Sequence, residues 1–256
     1  MTAQELLSRH DVAHIRANNP GLMTLSGTNT WLLGRDPTYV VDPGPLLDDH
    51  VAAIVAEAEA RGGAAAILAT HAHADHVDAL DAVCDALGGP PVVIGTGGPD
   101  AVGPLRAVPI PGHAPEHVAW VAGPVGFSGD AVLGEGSVFV APGQGGLAGY
   151  LEGLRGLRAL DLELIGPGHG PVVTDPRAKL DEYLDHRVDR ERRLLAALDA
   201  GRRSVDELLD DAWSDAPAAL RFPAMITLAA HLEKLDEEGR LPAGVERPTL
   251  PEGLHG

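Results

Sequence analysis

Four side chains that commonly bind metal ions fall within six residues in the first third of the chain. They are His71, His73, Asp75 and His76, and they follow the apolar run Ala64 to Ala69. Such a run predicts a short buried strand. A strand points residues i and i+2 to the same side, and a turn into a helix near Asp75 would place Asp75 and His76 across the same pocket. Neutral imidazoles mixed with carboxylates favour a borderline metal ion over a metal-free polar loop.

Four further positions carry a ligand-type residue where an apolar, strand-like run meets glycine. In chain order they are Asp42, His113, Asp130 and His169. Glycine permits the tight turns and the close backbone approach that a crowded metal pocket requires. Because residues 71–76 are too few to complete two metal sites, we expect these other segments to contribute to the same pocket.

The combined pattern resembles the five motifs of the metallo-β-lactamase superfamily over about residues 20 to 175. Its members here are, in order, Asp42, His71, His73, Asp75, His76, His113, Asp130 and His169. His73 stands where the flavodiiron relatives carry glutamate, which favours zinc and hydrolysis over iron redox chemistry. Asp130 stands where the antibiotic-hydrolysing members lack a bridging carboxylate, so the chain looks more like the glyoxalase II and nuclease branches.

The resemblance also implies how these residues divide between two zinc ions. The implied ligands are His71, His73 and His113 for one ion, Asp75, His76 and His169 for the other, and Asp130 between them. Asp42 is then implied to lie behind the ligands, where it hydrogen-bonds a ligand or the metal-bound water. Asp75 is implied both to bind metal and to orient the water or accept its proton, so Asp75 and Asp42 are the candidate catalytic residues.

The chemistry expected of two such ions is hydrolysis by a metal-bridging hydroxide. A water between two zinc ions is acidified toward neutral pH, and the second ion can stabilise the oxygen of a carbonyl or phosphoryl centre. The sequence therefore predicts a zinc-dependent hydrolase that needs no separate nucleophile.

Composition bounds the remaining possibilities. The chain has 256 residues, of which 45% are hydrophobic, and a formal net charge of −18. This charge disfavours unaided binding to DNA or to an anionic membrane. The single cysteine, Cys84, excludes an internal disulfide and is expected to be a small core residue in a reducing compartment. Without a signal peptide or an apolar span, we expect a cytoplasmic protein that is a monomer or a homodimer.

Short strand-like runs alternate twice with helical patterns through residues 1–176. That alternation, together with the motif resemblance, predicts an α/β fold, a four-layer αββα sandwich that forms the catalytic domain. Residues 46–61 illustrate the pattern, because Val51, Ile54, Val55 and Ala58 share one helical face before the metal strand.

Residues 177–256 have a different texture, with three helical patterns followed by Arg240-Leu241-Pro242. Ser204 and Glu207 form the signature of a capping box at the start of the second helix. This order predicts a small, winged-helix-like C-terminal domain. It resembles the C-terminal domain of the lactamase-B-like endoribonuclease group and of related thioesterases.

Several histidines lie outside the motif set. We expect His10 and His14 to be surface residues and His117 to support a ligand without binding metal itself. His186 and His231 in the C-terminal domain are expected to be structural.

The C-terminal domain is a poor candidate for nucleic-acid binding. Residues 177–256 contain 12 Lys and Arg against 17 Asp and Glu, a net charge of −5. Phosphate neutralisation requires a basic face. A possible exception is a group of arginines in the first helix, if they face the metal pocket. They are Arg187, Arg190, Arg192 and Arg193.

Three functions remain open from the sequence. Resemblance to the endoribonuclease-containing group favours cleavage of single-stranded RNA. The acidic balance and only nine aromatic residues favour a small ester, thioester or lactone, since single-stranded RNA binding uses stacking platforms. We favour the small-molecule acyl substrate over RNA. A non-catalytic winged-helix regulator requires loss of ligands, and none is lost.

Overall fold

The strands and helices are described here from a computed structural model that covers residues 1–143 and 145–251. Residues 252–256 of the predicted C-terminal domain lie outside this range. Within it the chain forms ten strands and eight α-helices. The strands are β1 Val12–Arg16, β2 Asn29–Leu33, β3 Thr38–Val41, β4 Ala64–Ala69, β5 Val92–Ile94, β6 Ala101–Val102, β7 Leu105–Pro109, β8 Val118–Ala122, β9 Val125–Gly129 and β10 Leu164–Pro167. The helices are α1 Ala3–Arg9, α2 Asp48–Ala60, α3 Ala74–Val77, α4 Leu80–Ala86, α5 Gly146–Arg158, α6 Pro176–Asp199, α7 Val205–Ala212 and α8 Arg221–Glu237.

The described strands pair into two mixed sheets. The first has the order β1-β2-β3-β4-β5 and the second has the order β10-β9-β8-β7-β6. In the first sheet β3, β4 and β5 are parallel, and in the second β9 and β10 are parallel. The remaining pairs are antiparallel. Parallel neighbours place their carboxyl ends at one edge, which is where the candidate ligands follow the strands.

Alternation along the strands separates the inner face from the outer face of each sheet. Trp31 of β2 faces the second sheet and packs in one buried cluster with Trp120 and Phe127. The adjacent Leu32 and the β4 residue Ile67 face the other way, into the cluster that α2 and α4 complete. Each sheet is therefore covered on both faces, as the near-continuous apolar run of β4 requires.

The outer face of the second sheet is covered by α5 and by part of α6. Ala119 and Val121, on either side of Trp120, join a cluster with Tyr150 and Leu154 of α5. The layers are thus α2 with α4, first sheet, second sheet, and α5 with α6. This confirms the predicted four-layer αββα sandwich.

The C-terminal helices α6, α7 and α8 surround a cluster of their own, and α6 and α8 also contact α5. The predicted capping box is present, with the Ser204 hydroxyl accepting from the Glu207 N–H. Residues 176–251 contain helices and no strand. The winged-helix likeness and the domain boundary at residue 176 stay predictions. None of the described helices is long and apolar enough to cross a membrane.

The N-terminal elements α1 and β1 are not predicted by the sequence patterns. Strand β1 is the edge of the first sheet, and its His14 was expected to be a surface residue. Its ring stacks on Trp31 at 4.4 Å between centroids, and Nε2 lies 2.7 Å from Asn29 Oδ1. His14 is exposed, as expected of a surface residue, and its ring covers part of Trp31 at this edge of the sheet.

His231 of α8 is fully buried, as expected of a structural histidine. Neither of its ring nitrogens has a hydrogen-bond partner among the described residues. Burial is the main cause that lowers the pKa of His231 to about 3. Nearby positive groups lower it further, and these are Arg187, Lys234, His186 and Arg190. Between about pH 6.5 and about pH 3 the unfolded chain therefore binds a proton that the folded chain does not, and acid lowers the free energy of unfolding.

Replacing His231 by leucine should reduce this acid sensitivity. The variant loses the excess proton uptake of the unfolded chain, so its stability should fall less steeply below about pH 6, by up to about 1.4 kcal/mol per pH unit. Urea unfolding of both proteins between about pH 5 and about pH 7.5 measures the difference. Parallel pH dependences for the two proteins would contradict the assignment of a neutral, buried His231.

Candidate metal centre

The end of β4 and the start of α3 deliver the first group of candidate ligands. After β4 the chain passes through the buried His71, and His73 occupies the N-cap of α3 with an extended backbone (φ −68°, ψ 143°). Asp75 and His76 then lie on the single turn of α3. The change from strand to helix turns the second pair of side chains away from the direction of the first, as the sequence predicts.

Loops from both sheets bring the other candidate residues to the same edge. Asp42 directly follows β3, His113 lies in the loop after β7, Asp130 directly follows β9, and His169 lies just beyond β10. Because β3 and β4 are parallel, and β9 and β10 are parallel, these loops leave the two sheets at one end. The expected convergence of the predicted residues is therefore present in the structure.

Among the described residues, three sets of potential ligand atoms each lie within 4.8 Å of one another. The sets are His71, His73 and His113; His71, His76 and Asp130; and Asp75, His76 and His169. The first and third sets correspond to the two ligand groups that the motif pattern implies. The second set joins the two groups through Asp130.

The carboxylate of Asp130 lies between the two groups. Its Oδ1 is 3.4 Å from the Nε2 atoms of both His76 and His169, and its Oδ2 is 3.5 Å from Nε2 of His113. Across the pocket, Asp75 Oδ2 is 3.2 Å from His169 Nε2. A carboxylate with one oxygen toward each histidine group has the geometry of a bridging ligand.

Unpartnered buried atoms in this pocket fit a metal pair. Nε2 of His71, Nε2 of His76 and Oδ1 of Asp130 are buried and have no hydrogen-bond partner among the described residues. Buried polar atoms are costly unless they are paired. All three atoms face the same pocket, and imidazole nitrogen with carboxylate oxygen is a donor set that zinc accepts. The residues present therefore fit two divalent ions.

The carboxylate of Asp42 holds the ligand loop through hydrogen bonds. Its Oδ1 accepts from the Thr70 N–H at 2.7 Å, and its Oδ2 accepts from the Thr70 hydroxyl at 3.0 Å and from His76 Nδ1 at 3.1 Å. The Thr70 hydroxyl can in turn accept from Nδ1 of His71, 3.0 Å away. With protons on Nδ1, both rings present an Nε2 lone pair to the pocket, which is the form that binds metal.

Burial and neighbouring charges shift the pKa values of the candidate ligands. Burial lowers the pKa of His71 well below its ordinary value and that of His113 to about 4, so both rings are neutral near pH 7. The pKa of His76 is raised instead, because the negative charges of Asp130 and Asp42 outweigh the effect of burial. Burial would raise the pKa of Asp130, but the neighbouring histidines, His76 foremost, hold it well below its usual range. A divalent cation at Nε2 of His76 would take the place of the proton that Asp130 favours there.

Three further residues support the candidate ligands, and the sequence predicted this role only for His117. His117 lies outside the three ligand sets, and its Nε2 accepts from the Asp130 N–H at 3.1 Å, in agreement with the expected supporting role. Thr70 links Asp42 to His71, as described above. Asn29 donates from Nδ2 to the carbonyls on either side of His169, those of Pro167 at 3.0 Å and Gly170 at 2.9 Å. The adjacent ligand motif was the only signal for Thr70, whereas the Asn29 contact joins residues that are far apart in the chain.

Comparison with known proteins agrees with this geometry. The sequence profile described as the metallo-beta-lactamase superfamily matches residues 23–105. The chain is 30% identical over 254 residues to the beta-lactamase-like protein 2 homolog of Caenorhabditis elegans, which covers 89% of this chain and 85% of that protein. It is 33% identical over 220 residues to the atrochrysone carboxyl ACP thioesterase of Aspergillus chevalieri, covering 76% of this chain and 70% of that one.

Solved structures share the fold. A beta-lactamase domain protein from Burkholderia ambifaria superposes with a TM-score of 0.70 at 20% identity, over 91% of this chain and 89% of that one. A metallo-beta-lactamase family protein from Thermus thermophilus superposes with a TM-score of 0.63 at 23% identity, over 89% and 94% of the two chains. At these identities the likeness concerns the fold alone.

Replacing His73 or Asp130 by alanine should remove bound metal while leaving the fold largely intact. Each substitution deletes a ligand atom from the pocket, and Asp130 faces both ligand groups. We expect about two metal ions per wild-type chain after dialysis against zinc, and fewer in both variants. Elemental analysis with far-ultraviolet circular dichroism checks this, and the exposed Asp161→Ala substitution is the control. Wild-type metal content in either ligand variant would overturn the assignment.

Replacing Asp42 by asparagine should weaken metal binding without removing a ligand. The amide cannot accept from Thr70 and His76 at both of its terminal atoms, so the Nδ1–H form of His76 loses support. Loss of such a supporting partner typically lowers metal affinity about 10–100-fold. Competition against a chromophoric chelator measures the affinity, with the exposed Asp100→Asn substitution as the matched control. Equal affinities of wild type and Asp42→Asn would show that Asp42 does not orient the ligands.

Proposed function

We propose that this chain, which belongs to the metallo-beta-lactamase superfamily, is a two-zinc hydrolase of a small ester, thioester or lactone, with a thioester favoured. The observation that carries the proposal is the position of Asp130, whose two carboxylate oxygens face different ligand groups at 3.4 and 3.5 Å. A carboxylate placed between two groups of imidazole ligands is suited to two hydrolytic metal ions held close together.

In this proposal the residues divide as the motif pattern implies. One zinc ion would be held by His71, His73 and His113 and the other by Asp75, His76 and His169, with Asp130 available to both. When bound, the pair supplies Lewis-acid activation of water and of the substrate carbonyl. Nitrogen ligands without a cysteine, and His73 at the position where flavodiiron relatives carry glutamate, support zinc as the metal.

Asp75 is the proposed proton acceptor. Its side chain is 31% exposed, whereas those of Asp130 and Asp42 are 10% and 1% exposed. Oδ2 of Asp75 is held 3.2 Å from His169, which fixes the carboxylate at the open side of the pocket. As water adds to the acyl carbon and the carbon–sulfur bond breaks, the proton from water passes to Asp75 and the thiolate leaves. Asp42 acts indirectly, by positioning Thr70 and His76.

The arginines of α6 support an acyl substrate over RNA. Arg190 pairs with Asp215 at 2.5 Å, and Arg192 and Arg193 both pair with Asp189. Arg187 is 2% exposed and donates to a backbone carbonyl. These cations already have partners within the protein, so they do not form the free basic face that a phosphate backbone needs.

A relative supports the same substrate class. The Aspergillus chevalieri protein, matched over 70% of its length, is by name a thioesterase that acts on an acyl group carried by an acyl carrier protein. Its identity to this chain is 33%. On this basis we propose a thioester as the bond that this chain cleaves, without assigning the acyl group of the relative's substrate.

Turnover of two substrates by the zinc-loaded protein tests the proposal. We expect hydrolysis of a short acyl thioester of N-acetylcysteamine and no cleavage of a labelled single-stranded RNA. His73→Ala should reduce thioester hydrolysis to the level of a metal-free blank, because it lacks one ligand of the first ion. RNA cleavage that is lost in the same variant, with the thioester left intact, would replace the acyl interpretation by the nuclease one.

A further inference from the structure

The segment of residues 137–143, here called the wall segment, contacts the loop of the candidate ligand His113 on one side and the helices α6 and α8 on the other. Its side chains alternate in direction. Val138 and Val140 are buried in the core that covers the second sheet, at 6% and 0% exposure. Phe139 and Ala141 lie on the opposite face and pack in a different cluster. The alternation therefore turns Phe139 away from the sandwich core.

Phe139 is the aromatic side chain beside a candidate metal ligand. Its ring lies 4.7 Å from the ring of His113 between centroids, at 51°. On its other side it packs against the cluster of Ile226, Ala229 and Leu250. The residue is only partly buried. Part of the Phe139 side chain thus remains exposed beside His113.

The wall segment is tied directly to the loop that carries His113. The Ala141 N–H donates to the carbonyl of Gly112 at 2.7 Å, one residue before the ligand. Gly112 has a φ of +122°, and a Cβ there would lie 2.9 Å from Cβ of Tyr150, 3.0 Å from the Gly146 carbonyl oxygen and 3.1 Å from Cγ1 of Val140. Glycine is therefore needed where the His113 loop approaches both α5 and the wall segment.

Side chains of α6 and α8 hold the backbone of the wall segment from the other side. They are Arg187, donating to the Val138 carbonyl at 2.5 Å, Thr227, accepting from the Val140 N–H at 3.3 Å, and Glu233, accepting from the Gly143 N–H at 2.8 Å. The Thr227 hydroxyl can accept from Val140 because it donates its own proton to the Pro223 carbonyl at 3.2 Å. The C-terminal helices thus position one wall of the pocket.

We propose that Phe139 selects the acyl group of the substrate, that the C-terminal helices position Phe139 for this task, and that the preferred acyl group is a medium-length apolar chain. The proposal rests on the proposed acyl hydrolysis. A carbonyl carbon placed between the two ligand groups leaves the rest of the acyl group to lie against the pocket wall. On the His113 side that wall is an aromatic ring, which gains from apolar contact and offers no hydrogen-bond donor to an anionic group.

The ratio of kcat/KM for S-hexanoyl- over S-acetyl-N-acetylcysteamine measures this selectivity. The zinc-loaded wild type should prefer the hexanoyl substrate, and Phe139→Ala should lower the ratio about tenfold by removing the apolar contact. Phe222→Ala is the matched control, because Phe222 is a 49% exposed phenylalanine of α8. It should keep the wild-type ratio. A ratio unchanged in Phe139→Ala, or lowered equally in Phe222→Ala, overturns the assignment.

Binding of non-hydrolysable analogues separates this inference from the proposed function. The S-hexyl thioether of N-acetylcysteamine should bind more tightly than the S-ethyl thioether, and Phe139→Ala should remove most of the difference in calorimetry. If the wild type hydrolyses neither thioester, the proposed function fails, and the binding ratio alone then decides the role of Phe139. If both thioesters are hydrolysed but neither ratio responds to Phe139→Ala, the proposed function stands and this inference fails.

Thr227→Val tests the positioning by the C-terminal helices. Valine keeps the shape of threonine but cannot accept from the Val140 N–H, so the wall segment should loosen while Phe139 remains. We expect faster amide hydrogen exchange in residues 137–143 and a hexanoyl-to-acetyl ratio between those of the wild type and Phe139→Ala. The exposed Thr174→Val is the control and should change neither quantity. Faster exchange with an unchanged ratio would reduce Thr227 to a purely structural role and overturn the positioning.

Discussion

A single buried carboxylate supports both halves of the candidate metal centre. Asp42 is 1% exposed and accepts hydrogen bonds from the Thr70 backbone, the Thr70 hydroxyl and the ring of His76. Burying a carboxylate costs free energy unless donors surround it, and here the donors are the parts that hold the ligand loop. The hydrogen bonds that offset the cost of burying Asp42 are therefore the same ones that orient His71 and His76. Both candidate metal positions depend on it, since His71 belongs to one and His76 to the other.

The requirement to bring two sheets together at this carboxylate explains the backbone around the site. Gly129 has a φ of +47°, and a side chain there would collide with Thr70. A side chain at Gly168 would collide in the same way with Asp130. Close packing of the β9 and β10 ends against the β4 loop thus leaves no room for a Cβ at either position. The glycines that stand beside the candidate ligands in the sequence are therefore explained by the close packing of the site.

The sequence predicted the parts of this molecule whose signals are local. Residues 64–76 carry an apolar run and a ligand motif in one segment, and the strand, the turn and the helix follow in that order. The short helix α1 and the five-residue edge strand β1 have weak patterns, and the capping pair of Thr2 and Glu5 was the available sign of α1. The contacts of Asn29 with the turn at His169, and of Phe139 with His113, join segments that meet only after the sheets have packed. No periodicity within either segment encodes such a meeting.

The charge of the pocket argues for the same substrate class as its shape. Three carboxylates lie at the site, those of Asp42, Asp75 and Asp130, so two bound divalent ions with a bridging hydroxide would leave a net charge of about 0 there. The chain as a whole carries −18. A polyanion would have to cross this field to reach a pocket of little net charge, and Arg190, Arg192 and Arg193 of α6 are already paired with Asp189 or Asp215. A neutral acyl compound meets no such barrier, because its approach depends on the apolar wall at Phe139 and its reaction depends only on the local field of the ligand cluster.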